Sequence, residues 1–577
     1  MKRFNLLIII GGLLVITLAS CKSNFLNYQP KGVVSSSQLN TPKRADQLVT
    51  AAYASLGNDH WTVPFEDMWP YGDVRSDDAY KGGGGTSDQG GYNDMELFSF
   101  MRPDQPKFDS IWFRLYVGIS RADEALRKLK TLNSKDFPQK TEREAEMHFI
   151  RGHYYFLLKI LFKHIPFFTA DTPIDSLHTI SNVQYTSQQL WGKIANEFQI
   201  AVNNLPDNQQ DVGRPTKYAA EAYLAKVKLY QAYVQDKANN VVSINKSDLQ
   251  QVVKLTSDVI NSGKYGLLNN FGGDFMFKND NTKFSVWAVQ RSINDGTPNG
   301  RVDMGNALNY PMNPSYGCCW FHIPSQNLVN AFKTNKNGLP EFSTYNNSSI
   351  KDSVDFQNQT VDPRLDYTVG IPTHPWKDDP NFVYEKSWAR TPDVYGYYSS
   401  MKEAQLPSCS CLKKVGPFYA DSKNTVIIRY ADVLLWKAEA LIQLGRQNEA
   451  LPLINKVREQ AKNSKGSLKY SNGKPISDYH IETYKPGVNC TWTKDYALKA
   501  LHWEDRLEFA MEGKRFFNLV RWGIADSVMN NYFNTEKARH QFLSNGHFQK
   551  NKDEYLPIPQ NQINFSHGLY KQNYGWK

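Results

Sequence analysis

Apolar side chains recur along this chain at the spacing of one helix face. Tyr223, Leu224, Val227 and Tyr230 follow the i, i+3, i+4, i+7 pattern that is typical of an amphipathic helix. Three further segments share this pattern: Trp112, Leu115, Tyr116, Ile119 and Leu126; Leu190, Ile194, Phe198 and Ala201; and Val252, Leu255, Val259 and Ile260. We therefore predict helical hairpins at roughly 40–56/110–131, 142–164/187–205, 216–235/248–262 and 428–445/447–462.

The clearest helical pair lies near the C-terminus. Its two apolar faces consist of Leu434, Ala438, Leu441 and Ile442, and of Ala450, Leu453, Ile454, Val457 and Ala461. Gly445 follows the first helix and suits a C-cap with positive φ. Small Ala438 and Ala450 allow the two helices to approach closely. The pair resembles a tetratricopeptide repeat, although no strict period of about 34 residues runs through the chain.

Two long stretches, residues 57–109 and 264–425, lack a sustained helical pattern and show only short strand-like runs such as Phe284–Val289. Loops of this length are uncommon in compact proteins unless they carry function. We predict a mainly α fold, with tetratricopeptide-like hairpins forming a scaffold over about 36–262 and 426–577. The two stretches would be insertions that form a loop-rich, irregular face.

The N-terminus predicts export. Lys2 and Arg3 precede an apolar run from Leu6 to Leu18. This run is shorter than the ~20 residues that a membrane-spanning helix needs, so it has the layout of a secretory signal peptide. The run ends in Leu18-Ala19-Ser20-Cys21, which resembles the lipobox of bacterial lipoproteins. We expect a lipoprotein signal peptide over residues 1–20 and a mature chain held to a membrane by lipid on Cys21. The alternative is an ordinary signal peptide followed by a chance cysteine.

Composition narrows the class of protein. The 577 residues include 13 Trp and 32 Tyr, which serve carbohydrate stacking as readily as core packing. Mean hydropathy is -0.56, so no further membrane span is expected. The formal charge of +10 is modest and accompanies no nucleic-acid-binding motif. Beyond Cys21, the cysteines are Cys318, Cys319, Cys409, Cys411 and Cys490. Their spacing does not match a zinc site, and one or two disulfides suit an oxidising compartment.

Several sequence blocks together resemble one family. They are Arg429-Tyr430-Ala431-Asp432-Val433-Leu434-Leu435 with Ala438-Glu439-Ala440 and Leu444-Gly445, Ile454-Asn455-Lys456-Val457-Arg458, Glu508 through Gly523, Leu556-Pro557-Ile558-Pro559, Gln572-Asn573, Gly213-Arg214-Pro215-Thr216 and Asp362-Pro363-Arg364. In this combination they resemble the SusD/RagB family of surface nutrient-binding lipoproteins, with Asn518 where Asp is usual. The resemblance spans nearly the whole mature chain, residues 21–577.

The resemblance implies a helical scaffold packed against a loop-rich ligand-binding part. It also implies a non-enzymatic role without a cofactor: capture of oligosaccharides, or in some members peptides, and delivery to a SusC-like TonB-dependent barrel in the outer membrane. The chain would then be lipid-anchored there and face the cell exterior. One departure is Lys22-Ser23-Asn24-Phe25, where surface-exported lipoproteins often carry acidic residues.

Ligand contacts are expected in two loop segments that combine aromatic rings with forked polar groups, since both suit a sugar. The first segment supplies Trp69, Tyr71, Asp73, Arg75 and Asp78, and the second supplies Arg301, Tyr310, Tyr316, Trp320 and Phe321. For any single aromatic residue here, core packing is the competing interpretation.

Charged residues in the family blocks predict structure rather than catalysis. Arg429, Glu439, Glu512, Arg515 and Arg521 place both signs at close spacing, and buried charges need partners. We expect ion pairs there. The chain has neither a Gly-x-Ser-x-Gly elbow nor a His-Glu-x-x-His motif, and the run Gly82–Gly85 lacks the Lys-Ser/Thr of a phosphate loop. A glycoside hydrolase with paired carboxylates stays a remote alternative.

Overall fold

The computed structural model describes residues 41–576, so the predicted signal peptide and Cys21 lie outside the described residues. In chain order the helices are α1 (Pro42–Leu56), α2 (Trp69–Gly72), α3 (Gly90–Leu97), α4 (Pro106–Lys130), α5 (Lys140–Phe162), α6 (Ser187–Asn204), α7 (Lys217–Ala232), α8 (Lys246–Asn261), α9 (Gln326–Ala331), α10 (Ser353–Asn358), α11 (Leu365–Thr368), α12 (Pro392–Tyr395), α13 (Tyr430–Gln443), α14 (Gln447–Asn463), α15 (Lys494–Phe509), α16 (Arg515–Trp522), α17 (Ala525–Glu536) and α18 (Gln560–Phe565).

The strands are short and pair two by two. They are β1 (Ala79–Gly82), β2 (Tyr233–Gln235), β3 (Val241–Ile244), β4 (Ser285–Val289), β5 (Phe321–Pro324), β6 (Val369–Gly370), β7 (Pro375–Trp376), β8 (Asp379–Val383), β9 (Ser399–Ser400), β10 (Leu412–Val415), β11 (Phe418–Asp421) and β12 (Thr425–Arg429). The antiparallel pairs are β1–β5, β2–β3, β4–β12, β6–β9, β7–β8 and β10–β11. The mainly α fold class is confirmed.

All four predicted hairpins are present. Helix α1 packs on α4, α5 on α6, α7 on α8, and α13 on α14. Contacts between α4 and α5, α6 and α7, and α8 and α13 join these hairpins into one continuous stack. Ala438 and Ala450 are fully buried where α13 meets α14, and Gly445 between them has φ +81°. Both small residues therefore allow the close approach that their pattern predicts.

Polar caps fix where several scaffold helices begin. Thr41 and Thr216 accept hydrogen bonds from backbone N–H groups in the first turns of α1 and α7. Thr186 and Gln189 form a reciprocal capping box at the start of α6. Each cap satisfies an otherwise unpaired amide and contributes about 1 kcal/mol. The helix starts thus follow from local sequence, and their apolar faces then bury against neighbouring helices.

The second insertion leaves the scaffold and returns to it at one point. Strands β4 and β12 pair antiparallel, with Val289 opposite Thr425, and β12 leads directly into α13. Residues 290–424 therefore form an excursion whose two ends are held together by this ladder. Strands β1 and β5, with Ala79 opposite Pro324, tie the first insertion to the second. The two loop regions consequently build one face.

Buried ion pairs connect the family blocks, as their residue types predict. Arg429 pairs with Glu508 at 2.8 Å and with Glu512 at 2.9 Å. Arg521 pairs with Glu439, and Arg515 Nε lies 2.9 Å from Asp77. The structural interpretation of these charges is confirmed. In the part of the chain covered by residues 41–576, no helix is long and apolar enough to cross a membrane.

Candidate ligand-binding site

The first predicted ligand segment lies in the protein interior. Trp69 is 1% exposed, donates through Nε1 to the Gly305 carbonyl at 3.2 Å, and stacks on the ring of His322. Tyr71 is fully buried. Neither ring has a free face for a sugar in this conformation. Helix α2 and the turn after it form a layer beneath the loop-rich face.

The polar residues of the same segment each make at least one contact with a protein group. Asp73 accepts a hydrogen bond from the Gly513 amide at 2.7 Å, and Asp78 pairs with Arg506 at 2.8 Å. Arg75 donates to the Asp553 carbonyl at 2.8 Å. Burial raises the pKa of Asp78 to about 6, although Arg506 opposes that shift. These contacts join the first insertion to α15, to the loop between α15 and α16, and to the segment between α17 and α18.

The second predicted segment is divided between interior and surface. Tyr310 donates its hydroxyl to the Asp421 carboxylate, and Tyr316 donates to the Gln405 carbonyl at 2.7 Å. Trp320 and Phe321 are buried in the main core. Arg301 is exposed, and its Nη1 lies 3.3 Å from the Asn58 side-chain oxygen.

Nine of the ten predicted side chains are thus buried, and Arg301 is the one that faces solvent. Ligand contact by the nine stays a prediction. The physical reason for their burial is common to both segments: aromatic and forked polar side chains also suit a core that must satisfy charged groups brought in by the loops.

A polar cavity of about 110 Å³ lies below these segments. It is smaller than the ~300 Å³ at which pockets for organic ligands begin. His322 lines it, with its two ring nitrogens 3.0 Å from Asp73 and 2.9 Å from Glu403. Burial alone would lower the pKa of His322, but the two carboxylates outweigh burial and raise it to about 9. The cavity suits water and a fixed charge triad rather than a sugar.

Three carboxylates near this cavity converge closely enough to hold a cation. One oxygen from each of Asp59, Asp67 and Asp303 lies within 4.8 Å of the others. Arg291 lies 3.7 Å from Asp59 and 3.5 Å from Asp303, so a guanidinium already supplies countercharge. Burial is the main cause that raises the pKa of Asp59 to about 7. Asp59 is therefore partly protonated at neutral pH, and the three carboxyl groups together carry less negative charge.

Half-buried aromatic side chains instead lie on the surface formed by the two insertions. The ring centroids of Trp61 and Phe418 are 5.5 Å apart and tilted by 48°. Both rings rest on a small apolar cluster that contains Val302, Ala307 and Ala420. We call this the Trp61–Phe418 surface; it comprises His60, Trp61, Met304 and Phe418, with exposed Asn58 and Arg301 at its edge.

Both insertions position this surface. Phe418 begins β11, directly after the tight turn at Gly416 and Pro417. On the other side, the Thr62 carbonyl accepts hydrogen bonds from the Tyr92 hydroxyl at 2.7 Å and from Lys107 Nζ at 3.0 Å. The result is a half-buried apolar surface, and the exposed Arg301 directly precedes Val302 of the cluster beneath it. Aromatic rings suit the apolar face of a sugar, and a guanidinium suits its hydroxyl rim.

Trp61 and Phe418 were not among the predicted ligand contacts. Trp61 lies in the predicted loop insertion, but nothing in the local pattern distinguishes it from the buried Trp69. Phe418 carries a clearer signal, because the preceding Gly416-Pro417 pair marks a turn and places the next side chain near a hairpin tip.

Comparison with known proteins gives consistent matches over most of the chain. Residues 284–576 match the SusD family, and residues 24–229 match a family described as starch-binding associating with outer membrane. A SusD-like protein of Bacteroides ovatus is 24% identical over 546 residues, which cover 90% of this chain and 83% of that protein.

Solved structures share the fold. A laminarin-binding SusD-like protein superposes with a TM-score of 0.65 at 22% identity, covering 93% of this chain and 100% of that one. Surface glycan-binding protein A of Bacteroides thetaiotaomicron, in complex with laminarihexaose, gives 0.64 at 20% identity, covering 92% and 99%. The family match extends over half of the sequence and includes the buried ion-pair blocks, and on this evidence the chain belongs to the SusD family.

Proposed function

We propose that this protein is a non-catalytic, surface-exposed glycan-binding lipoprotein. It binds oligosaccharide or polysaccharide and delivers it to a SusC-like TonB-dependent transporter in the outer membrane. The family supports this role, since relatives with the same fold are described as laminarin-binding and glycan-binding proteins. A lipid on Cys21 would keep the protein beside its transporter.

The observation that carries the proposal is the Trp61–Phe418 surface. There the loop-rich face presents two neighbouring aromatic rings, and the exposed Arg301 directly precedes Val302 of the cluster beneath them. A pyranose ring has apolar C–H faces and a rim of hydroxyls, so rings and forked donors complement it. Of the predicted aromatic set, Trp69, Tyr310 and Tyr316 instead have hydrogen-bond partners within the protein.

The proposal is tested by titrating the mature protein with a panel of glycans that includes laminarin and starch oligosaccharides. Trp61→Ala and Phe418→Ala should each weaken binding by ~1–3 kcal/mol, on the scale of aromatic stacking with a flat ring. The matched control is Phe565→Ala. That ring is 77% exposed on α18, so its removal takes away an exposed aromatic residue outside the proposed surface.

Equal loss of affinity in all three variants, or normal affinity in both surface variants, would place the site elsewhere. Binding of peptides and of none of the glycans would instead support the peptide-binding alternative within the same import role. Release of shorter sugars from a bound glycan would contradict the non-catalytic part of the proposal. For the partner, recovery of a large outer-membrane barrel in a pull-down under mild detergent is the expected result.

A further inference from the structure

Four of the cysteines form two disulfides between residues that are one or two positions apart in sequence, and both disulfides lie in the second insertion. Cys318 is bonded to Cys319, and Cys409 is bonded to Cys411. Within residues 41–576, the remaining cysteine is Cys490, which is half-buried and unpaired. Stabilisation by a disulfide grows with the length of the loop it closes. Links between residues one and two positions apart therefore contribute little to the overall fold and act locally.

The local structure that both disulfides adjoin is the β10–β11 hairpin. At its base, Cys409 and Cys411 precede β10, and the Cys411 carbonyl accepts a hydrogen bond from the Ser422 amide at 3.0 Å. This bond closes the hairpin at the residue that follows β11. The Cys409–Cys411 disulfide therefore holds the end of the hairpin that is attached to the rest of the insertion.

Near the tip, the Cys318–Cys319 segment lies alongside Phe418. Cys318 forms a parallel β-bridge with Phe418. The approach is close, because a Cβ on the preceding Gly317 would lie 2.8 Å from the Pro417 carbonyl oxygen. Behind this contact, the Cys319 amide donates to the Leu308 carbonyl at 3.3 Å, which ties the segment to the core. The Cys318–Cys319 disulfide thus stiffens the backbone segment that contacts the hairpin at Phe418.

We propose that the Cys318–Cys319 and Cys409–Cys411 disulfides are positioning elements that hold Phe418 against Trp61. Both ends of the hairpin are restrained, so the gap between the two rings stays fixed before a ligand arrives. Fixing a binding surface in advance removes part of the ordering cost of binding. The consequence for glycan affinity rests on the proposed function, whereas the restraint of the hairpin does not.

The first test measures the restraint without any ligand. Amide hydrogen exchange is compared between the intact protein, Cys318→Ala/Cys319→Ala, Cys409→Ala/Cys411→Ala and the control Cys490→Ala. Each double variant should exchange roughly tenfold faster in residues 412–421, with no change in α13, because the opening is local. Unchanged exchange in the hairpin overturns the proposal, and so does acceleration throughout the scaffold, which would indicate a merely global role.

The second test uses laminarihexaose, the oligosaccharide bound by the relative from Bacteroides thetaiotaomicron. Removing the Cys318–Cys319 bond should weaken its binding roughly fivefold to tenfold, within the range of one stacking contact. The same substitution in a Phe418→Ala background should change affinity little, because the ring through which it acts is already absent. Equal losses in the two backgrounds would overturn the positioning role. If the intact protein binds no glycan while the hairpin loses protection, the proposed function fails and the positioning role is supported.

Discussion

The scaffold and the loop-rich face of this protein are stabilised in different ways. Where α13 meets α15 and the α15–α16 loop, charges are paired in the interior, as with Arg429 between Glu508 and Glu512. In the Trp61–Phe418 surface, half-buried rings rest on a small apolar cluster, and short disulfides lie beside them. The family sequence blocks mark the first region and leave the second unmarked. The family match therefore identifies the scaffold and does not by itself identify the ligand.

The largest expected effect comes from breaking the buried charge network. Arg429→Met leaves Glu508 and Glu512 without their shared guanidinium, so the free energy of unfolding should fall by ~3–5 kcal/mol. Urea unfolding of the two proteins measures this. The control is Arg446→Ala, whose pair with Glu449 has side chains 45% and 57% exposed, so its loss should change the free energy of unfolding little. Similar losses in both variants would show that the buried network contributes no more to stability than an exposed ion pair.

A comparison of two tryptophans separates core from surface. Trp320 is fully buried, so Trp320→Ala should lower the free energy of unfolding by ~3–5 kcal/mol. Trp61 is half-buried, and Trp61→Ala should cost about half of that or less, because less of its area leaves water on folding. Denaturant titrations of both variants give the two values. A stability loss in Trp61→Ala as large as that in Trp320→Ala would show that the Trp61–Phe418 surface is part of the core.

The charge triad below the loop-rich face predicts a pH dependence. The pKa of His322 is about 9 in the folded protein, and an unfolded histidine titrates near 6.5. The native state thus holds a proton that the unfolded chain releases first. This stabilisation is complete below about pH 6.5 and is lost as the pH rises through about 9.

His322→Gln provides the reference that isolates this contribution. The difference in unfolding free energy between the two proteins should change by on the order of 3 kcal/mol between pH 6.5 and pH 9.5. Titrating groups that do not contact His322 are common to both proteins and cancel, so the difference reports His322 together with its partners Asp73 and Glu403. Parallel pH profiles would mean that His322 is not the protonated centre of the triad.

The smallest expected effect is that of Arg301→Ala on stability. Its guanidinium is exposed at the edge of the Trp61–Phe418 surface, so the free energy of unfolding should change by less than ~0.5 kcal/mol. Glycan affinity should fall nonetheless, if the guanidinium donates to sugar hydroxyls. Thermal unfolding and titration of the same sample measure both. A large loss of stability would show that Arg301 stabilises the fold rather than standing free at the surface.

Much of the scaffold follows from local sequence, whereas the ligand surface does not. The face formed by Tyr223, Leu224 and Val227 predicts α7, because a helix must bury such a stripe. The charges at Arg429 and Glu512 predict ion-pair partners, because a buried charge needs an opposite charge nearby. By contrast, Trp69 and Trp61 both lie in the first insertion with polar and glycine residues nearby. Only contacts across long sequence distances, such as Trp69 with Gly305 and Trp61 with Phe418, decide which one is buried.

The ladder between β4 and β12 has an evolutionary consequence. Because Val289 and Thr425 lie opposite each other, whatever is encoded between them begins and ends at the same place on the helical stack. Lengthening a closed excursion costs only ~0.6 kcal/mol per doubling in loop entropy. Loops within this stretch can therefore change in length while the helices stay in register, provided that the pairs of Arg364 with Glu504 and Glu508 are kept. The ladder thus lets the loops of this face vary without moving the ends of the helices to which they are attached.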